Sequence, residues 1–133
     1  MQAPQLVTPT PLADAAALAD ALQRDRLQVV ELYADWAGPT QALPTFWRKV
    51  AMEHGGQLPL DLSTACYEKC HDAPALAGHS STSQPKFLLF KGGKQVACVE
   101  GVDPPGLLAA VNKQLAAASG AAAAHRSSDS EEE

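Results

Sequence analysis

The sequence predicts one α/β domain with a mixed central sheet flanked by helices, followed by a tail. Segments of strand length alternate with helical segments in the order β-α-β-α-β-α-β-β-α, which is typical of helices packed on the faces of a sheet. The last two strands are joined by Lys91-Gly92-Gly93-Lys94, a strong signal for a tight antiparallel hairpin. An antiparallel hairpin beside strands connected through helices makes the sheet mixed.

The first elements are short. Residues 5–8 form an extended segment that the prolines at positions 9 and 11 end. Leucines at near-helical spacing on an alanine background predict an amphipathic helix over Leu12–Arg24. Leu27–Tyr33 is rich in β-branched and aromatic residues at strand length, which predicts a buried strand.

The middle of the chain contains two helices and one strand. Thr45–His54 is predicted to be helical, with Gly55-Gly56 ending the helix. Leu58–Leu62 is predicted to be a short strand, and Thr64–Lys69 a short helix.

The last three elements have the clearest signals. Lys86–Phe90 and Gln95–Glu100 are predicted to be the two strands of the hairpin. Pro104-Pro105 then begins a helix with four apolar residues on one face: Leu107, Leu108, Val111 and Leu115.

Length and charge limit what the chain can do. Its 133 residues suit one domain, predicted over residues 1–118, and residues 119–133 are predicted to be a disordered acidic tail rich in Ala, Ser and Glu. The net charge is −5 without a basic patch, so we expect neither nucleic acid nor a membrane as partner. No apolar run is long enough to span a bilayer, and the start lacks the cationic region of a secretory signal. Only three cysteines are present, which favours a reducing, cytoplasmic compartment.

The segment after the second strand carries the motif of a known family. Asp35-Trp36-Ala37-Gly38-Pro39-Thr40 lies between a strand and a helix and resembles the active-site segment of thioredoxin, Trp-Cys-Gly-Pro-Cys. Further matches follow in order: Glu31 at the family's buried acid, Gln84-Pro85 at its cis-proline, and Gly101 beside its active-site groove. The resemblance covers about residues 5–115 and implies the thioredoxin fold, with a cis peptide bond between Gln84 and Pro85.

Both cysteines of the family motif are replaced. Dithiol exchange needs one thiolate to attack and a second thiol to resolve the mixed disulfide, but Ala37 and Thr40 offer no sulfur. Pro44 also lies eight residues after Trp36, one fewer than is usual in the family. We therefore predict that the chain is not an enzyme, has no catalytic residue and needs no cofactor or metal. Thr40 is expected to cap the following helix or begin its first turn.

A narrower resemblance concerns residues 83–108, SQPKFLLFKGGKQVACVEGVDPPGLL. This stretch is similar to the thioredoxin-type light chains of outer-arm dynein and to the thioredoxin domain fused to certain ciliary nucleoside diphosphate kinases. The resemblance implies a redox-inactive structural or adaptor subunit with protein partners in a multi-subunit axonemal assembly. A dynein arm, the central pair or a microtubule-associated complex is the expected host, which places the chain in the cytoskeleton of a cilium or flagellum.

The resemblance also supplies candidate binding residues. In thioredoxins the Trp-x-Gly-Pro turn and the proline loop form a shallow groove for an extended partner peptide. In this chain that implies a partner groove formed by Trp36, Gly38, Pro39, Pro85 and Gly101. The alternative is that Trp36 packs across its own turn. In the family the matching acid helps to move a proton from the second cysteine, which is absent here. Glu31 is therefore expected to be half exposed or, if it is buried, to have no partner and to cost folding free energy.

The three cysteines leave a second function open. A disulfide oxidoreductase or redox sensor could use Cys66, Cys70 or Cys98. If Cys66 and Cys70 share a helix face, their Cβ atoms lie about 5–6 Å apart, too far for a disulfide. A metal site could use Cys66, Cys70 and His71 with His54 or His79, but this ligand spacing is unusual for zinc. The expected role of Cys66 and Cys70 is therefore that of small, half-buried side chains.

Overall fold

The computed structural model describes residues 8–80 and 83–123. Its centre is a five-stranded sheet in the order β1-β3-β2-β4-β5. β2 runs parallel to β3 and antiparallel to β4, and β4 pairs antiparallel with β5, so the predicted mixed α/β sheet is confirmed. The strands are β1 (Thr10–Leu12), β2 (Gln28–Tyr33), β3 (Asp61–Cys66), β4 (Lys86–Lys91) and β5 (Lys94–Glu100).

Helices connect and cover the strands. They are α1 (Ala15–Ala21), α2 (Pro44–Glu53), α3 (Tyr67–Cys70), a 3-10 turn (Pro74–Leu76) and α4 (Pro104–Ala123). The Asp14 carboxylate caps α1 by accepting a hydrogen bond of 2.9 Å from the Ala17 N–H. Pro44 occupies the first turn of α2, where its missing N–H removes no helical hydrogen bond.

Each face of the sheet buries its own apolar cluster. On one face α2 and α4 contribute Trp47 and Leu107, which pack with Phe87 of β4. On the other face Leu18 of α1 packs with Leu88 of β4. Because side chains alternate along a strand, neighbouring residues of β4 serve both clusters. The sheet is therefore covered on both sides, and its ends remain open to solvent.

Two elements differ from prediction in the middle of the chain. The third strand spans Asp61–Cys66 instead of Leu58–Leu62, and the short helix begins only at Tyr67. Tertiary contacts account for the shift, since β3 pairs with β2 along its whole length. Residues before Asp61 are held differently, because the Arg26 guanidinium donates hydrogen bonds to backbone carbonyls there.

The two chain ends also differ from the sequence prediction. Apart from Thr8, the predicted extended segment at residues 5–8 lies outside the described residues, and the first strand contains Pro11. Because β1 is an edge strand paired only with β3 among the described strands, a proline is tolerated there. α4 continues to Ala123, past residue 118, and residues 124–133 of the predicted tail lie outside the described part. Of the helices in that part, none is both long and apolar enough to cross a membrane.

Candidate functional site

A tight turn follows β2 at one end of the sheet and carries the Trp-Ala-Gly-Pro sequence. The N–H groups of Ala37 and Gly38 both donate to the Ala34 carbonyl at 3.0 Å. Gly38 has a φ of +72°, in the left-handed region that favours glycine. Trp36 projects from the turn and is 74% exposed. The indole therefore does not pack across its own turn.

Thr40 is held by its backbone rather than used as a helix cap. Its N–H donates a hydrogen bond of 2.6 Å to a carboxylate oxygen of Glu31. The predicted capping role of Thr40 is wrong, because the residue that caps α2 is Leu43. Pro44 explains the difference: a proline disfavours helical backbone in the residue before it, so the helix cannot extend back to Thr40.

Glu31 lies beneath this turn and is buried, with 3% of its surface exposed. The expectation of a half-exposed or unpaired acid is wrong, since the Thr40 N–H is its partner. The carboxyl lines a small cavity of about 50 Å³ together with apolar residues that include Trp47 and Leu62. Burial raises the pKa of Glu31, and the Thr40 hydrogen bond opposes part of that rise.

Glu31→Gln is expected to raise the free energy of unfolding at pH 7. A carboxyl whose pKa is raised in the folded state ionises more easily in the unfolded chain. The cost to the folded state is therefore absent below the unfolded-state pKa, grows as pH rises through the folded-state pKa and is complete above it. Glutamine removes this cost and keeps an oxygen for the Thr40 N–H. Urea denaturation at several pH values between 4 and 8 should show an advantage that shrinks toward acid. Glu53→Gln, at an exposed helix end, is the control; equal effects of both substitutions would contradict the prediction.

Pro85 and Gly101 lie at the same end of the sheet as the turn. The Gly101 N–H donates a hydrogen bond of 2.7 Å to the Pro85 carbonyl. The predicted cis bond before Pro85 is wrong: the Gln84–Pro85 peptide is trans. The trans form is the lower in energy for most X–Pro bonds. The residue after Pro85, Lys86, already pairs with Leu32 of β2.

Both the backbone conformation at position 101 and the nearby Gln84 side chain favour glycine there. Gly101 has a φ of +79°, and an added Cβ would lie 3.0 Å from a side-chain oxygen of Gln84. Gly101→Ala should therefore lower the free energy of unfolding by about 1–2 kcal/mol, measured by urea denaturation. Gln84→Ala combined with Gly101→Ala relieves the contact but not the backbone strain, so most of the loss should remain. Recovery to the stability of the Gln84→Ala variant would show that only the contact matters.

The structure places the five predicted groove residues in two groups. Trp36, Gly38 and Pro39 are on the turn after β2, whereas Pro85 and Gly101 are joined by their hydrogen bond before β4 and after β5. Pairing of Lys86 with both Leu32 and Glu100 puts the two groups at one end of the sheet. Trp36 and Pro39 are exposed, Pro85 and Gly38 are partly buried, and Gly101 is buried.

Two acidic residues beside Trp36 were not singled out from the sequence. The Asp35 N–H donates a hydrogen bond of 2.8 Å to the Glu68 carboxylate, and both residues are exposed. The Cys66 thiol is within 3.6 Å of Asp35 Oδ1 and 3.7 Å of Glu68 Oε1. Asp35 could have been noticed from its place before the tryptophan. Glu68 had no such signal, since α3 brings it to the site from a distant part of the chain.

The cysteines are placed differently from expectation. Cys66 ends β3 and Cys70 ends α3, so they do not share a helix face, and both are fully buried rather than half buried. Cys98 is exposed on β5, and all three are free thiols. Burial is the largest cause of a raised pKa at each thiol, which disfavours the reactive thiolate. In the described ranges, no cluster of three or more His, Cys, Asp or Glu side chains could hold a metal ion.

A second surface feature lies between α2 and α4. A cavity of about 280 Å³ opens there, lined mainly by apolar residues with one lysine and one glutamate at the rim: Phe46, Lys49, Val50, Glu53, Pro104, Pro105 and Leu108. The sequence did not indicate this cavity, because its walls come from two helices, α2 and α4, that are far apart along the chain.

Comparison with known proteins agrees with this architecture. The thioredoxin family model matches residues 10–113. The chain is 37% identical over 82 residues to the 16 kDa light chain of flagellar outer-arm dynein from Chlamydomonas reinhardtii, covering 61% of this chain and 52% of that protein. It is 35% identical over 81 residues to the 14 kDa light chain of the same structure and organism, covering 61% and 60%. Among solved structures, Fasciola hepatica thioredoxin aligns with a TM-score of 0.59 at 25% identity, covering 78% of this chain and 97% of that one.

Proposed function

This chain belongs to the thioredoxin family, and we propose that it is a redox-inactive structural or adaptor subunit of a ciliary or flagellar axonemal complex. Two of its relatives are named as light chains of the flagellar outer dynein arm. The chain spans about half of the first relative's length (52%) and 60% of the second's. The proposed axonemal location and protein partners therefore rest on sequence similarity over the shared thioredoxin domain alone.

One observation carries the proposal: an exposed tryptophan projects from a turn that has lost its sulfur chemistry. Trp36 is 74% exposed, while the flanking motif positions hold Ala37 and Thr40. The Thr40 N–H is engaged by Glu31, so the turn is fixed in place without a nucleophile. A surface that keeps the aromatic residue and lacks the reacting atoms can bind a partner but cannot exchange disulfides with it.

The chemistry of the surface supports a protein partner. Trp36 and Pro39 are both exposed, and aromatic anchors such as tryptophan dominate the energy of many protein interfaces. The neighbouring carboxylates of Asp35 and Glu68 give one rim of the surface a negative charge. This rim would favour a partner segment that places apolar groups on Trp36 and basic groups beside it.

Insulin reduction in the presence of dithiothreitol tests redox inactivity. We expect no rate above background for this chain, whereas a thioredoxin with both motif cysteines, run in parallel, should accelerate the reaction. Cys98→Ser provides the second arm, because Cys98 is the exposed thiol among the described residues. A rate above background that disappears in Cys98→Ser would contradict the proposal and favour the alternative, an oxidoreductase using that thiol.

Axoneme fractionation tests the structural role. A tagged full-length chain, expressed in ciliated cells of its source, should remain with the axonemal pellet after detergent removes the membrane. After salt extraction it should co-sediment with a high-molecular-weight complex at fixed stoichiometry to one of that complex's subunits. Recovery mainly as a free small protein in the detergent-soluble fraction would contradict the proposal.

A further inference from the structure

One side of α2 faces solvent and combines two opposite charges with an apolar side chain. The other side of the helix buries Trp47 and Val50 against the sheet. Lys49, Met52 and Glu53 are all exposed, and their spacing of three and four positions makes them neighbours on the helix surface. Met52 is a large apolar residue with 61% of its surface exposed. These three residues are called the outer face of α2 below.

The two charges of the outer face are not paired with each other. The order lysine before glutamate is the less favourable one for an ion pair four positions apart in a helix. Over residues 8–80 and 83–123, neither Lys49 nor Glu53 forms an ion pair. Glu53 also lies in the last turn of α2, which contains no basic residue, and the helix macrodipole disfavours an acid there. A cation supplied by another molecule would therefore stabilise the charge of Glu53.

The same two charges border the cavity between α2 and α4. Lys49 and Glu53 lie at its rim, and Phe46 and Leu108 belong to its apolar wall. An occupant that pairs with both charges therefore also covers the open side of the cavity. Removing these apolar walls from water favours such an association.

The local charges allow a second copy of the chain to approach. The charged residues of α2 are Arg48, Lys49 and Glu53, and Asp103 precedes α4 across the cavity. Two positive and two negative residues give this surface no net charge. The Asp103 carboxylate is already engaged, since it accepts a hydrogen bond of 3.1 Å from the Gly106 N–H. The net charge of −5 on each whole chain is screened beyond about 8 Å at physiological ionic strength.

We propose that the outer face of α2 binds the same face of a second copy, with the two helices antiparallel. Lys49 and Glu53 are equally far along the helix from Ala51. A two-fold axis at the level of Ala51 therefore places each lysine against the glutamate of the other copy, so the contact is self-complementary. With a rise of about 1.5 Å per residue, the two Met52 residues are offset by about 3 Å along the helices. They pack against each other between the two ion pairs.

The dimer is expected to be weak. The contact is confined to one helix face and the cavity rim, which is smaller than the roughly 1,200 Å² buried in stable interfaces. We expect a dissociation constant between about 10 µM and 1 mM. The chain is then monomeric when dilute and pairs where it is locally concentrated. The contact lies on α2 rather than on the turn that carries Trp36, and it does not depend on the proposed function.

Sedimentation velocity of the full-length chain over a range of concentrations tests the dimer. Lys49→Glu and Glu53→Lys each place like charges against each other twice, so each variant alone should weaken self-association at least about tenfold. Lys113→Glu makes the same change of charge at an exposed position on α4 and should leave self-association unchanged. A wild-type chain that stays monomeric at about 1 mM would overturn the proposal. Equal weakening by Lys113→Glu would also overturn it.

Mixing the two variants tests the pairing itself. In an equimolar mixture of Lys49→Glu and Glu53→Lys chains, two acids on one copy face two bases on the other, so a heterodimer should form. Both substitutions combined in one chain should restore the wild-type self-association. Circular dichroism of each variant establishes that the domain is folded. Failure of both the mixture and the combined variant to associate would overturn the pairing of Lys49 with Glu53.

Nuclear Overhauser contacts between copies locate the interface. In a sample that mixes methionine-methyl-labelled chains with unlabelled chains, the Met52 methyl group should show contacts to protons of the other copy. These contacts should disappear in the Lys49→Glu variant at the same concentration. A dimer without contacts at the Met52 methyl group would pair through another surface and would overturn the proposal.

Discussion

Replacing Phe87 by alanine is expected to lower the free energy of unfolding by about 3–5 kcal/mol. Phe87 is 1% exposed and lies in the centre of the sheet, between Glu31 of β2 and Val99 of β5. It packs in the cluster that α2 and α4 close through Trp47 and Leu107. Truncation leaves a cavity between the sheet and both helices, which a rigid sheet cannot close by relaxing. Urea denaturation followed by tryptophan fluorescence measures the change.

The comparison for this prediction is Val102→Ala. Val102 is also apolar but is 44% exposed, two residues beyond β5, so its substitution should change the free energy of unfolding by less than about 0.5 kcal/mol. Similar losses in both variants would mean that Phe87 is not at the centre of the core. Phe87→Leu retains part of the volume and should cost clearly less than Phe87→Ala, which separates a cavity from a general failure to fold.

Elements with local signals were predicted well from the sequence. The β4–β5 hairpin follows from a Gly-Gly turn between two strand patterns, and both glycines have the positive φ that such turns require, +62° at Gly92 and +81° at Gly93. The first turn of α4 follows from Pro104-Pro105. In these cases the residues that fix the backbone are neighbours in sequence.

Elements fixed by distant contacts were predicted less well. β3 was placed three residues too early, because its register is set by pairing with β2 and not by its own pattern. The buried state of Glu31 also depends on distant residues, since its partner is a backbone N–H at Thr40 on the far side of the turn. No residue type at position 40 could have indicated this bond, because every residue except proline offers the same N–H.

At the candidate site the sequence predicted the turn but not its surroundings. Trp36, Gly38 and Pro39 are contiguous, so a motif reveals them together. Glu68, which accepts a hydrogen bond from the Asp35 N–H, lies on α3, and this helix reaches the site only in the folded chain. The same holds for the cavity between α2 and α4. Contiguous residues can therefore be assigned to a site from sequence, whereas its rim requires the structure.

Trp36→Ala is expected to weaken assembly of the chain into its complex by about 2 kcal/mol or more, which is roughly a thirtyfold loss of affinity. The reason is exposure: with 74% of its surface free, Trp36 is available to a partner and contributes little to the domain's own packing. The isolated variant should keep the circular dichroism spectrum and thermal midpoint of the wild-type protein. Co-sedimentation of tagged chains with axonemal extracts, titrated over a range of salt concentrations, measures the loss.

Met52→Ala is the matched control for this prediction. Met52 is 61% exposed on α2. Its substitution by alanine therefore removes a large exposed apolar side chain outside the turn that carries Trp36. Only Trp36→Ala should reduce assembly, and because an aromatic anchor is less sensitive to screening than an ion pair, the deficit should persist as salt is raised. If the Trp36→Ala chain stays with the complex at wild-type stoichiometry in raised salt, the turn is not the docking surface. Loss with Met52→Ala instead would assign docking to α2, which also lines the cavity shared with α4.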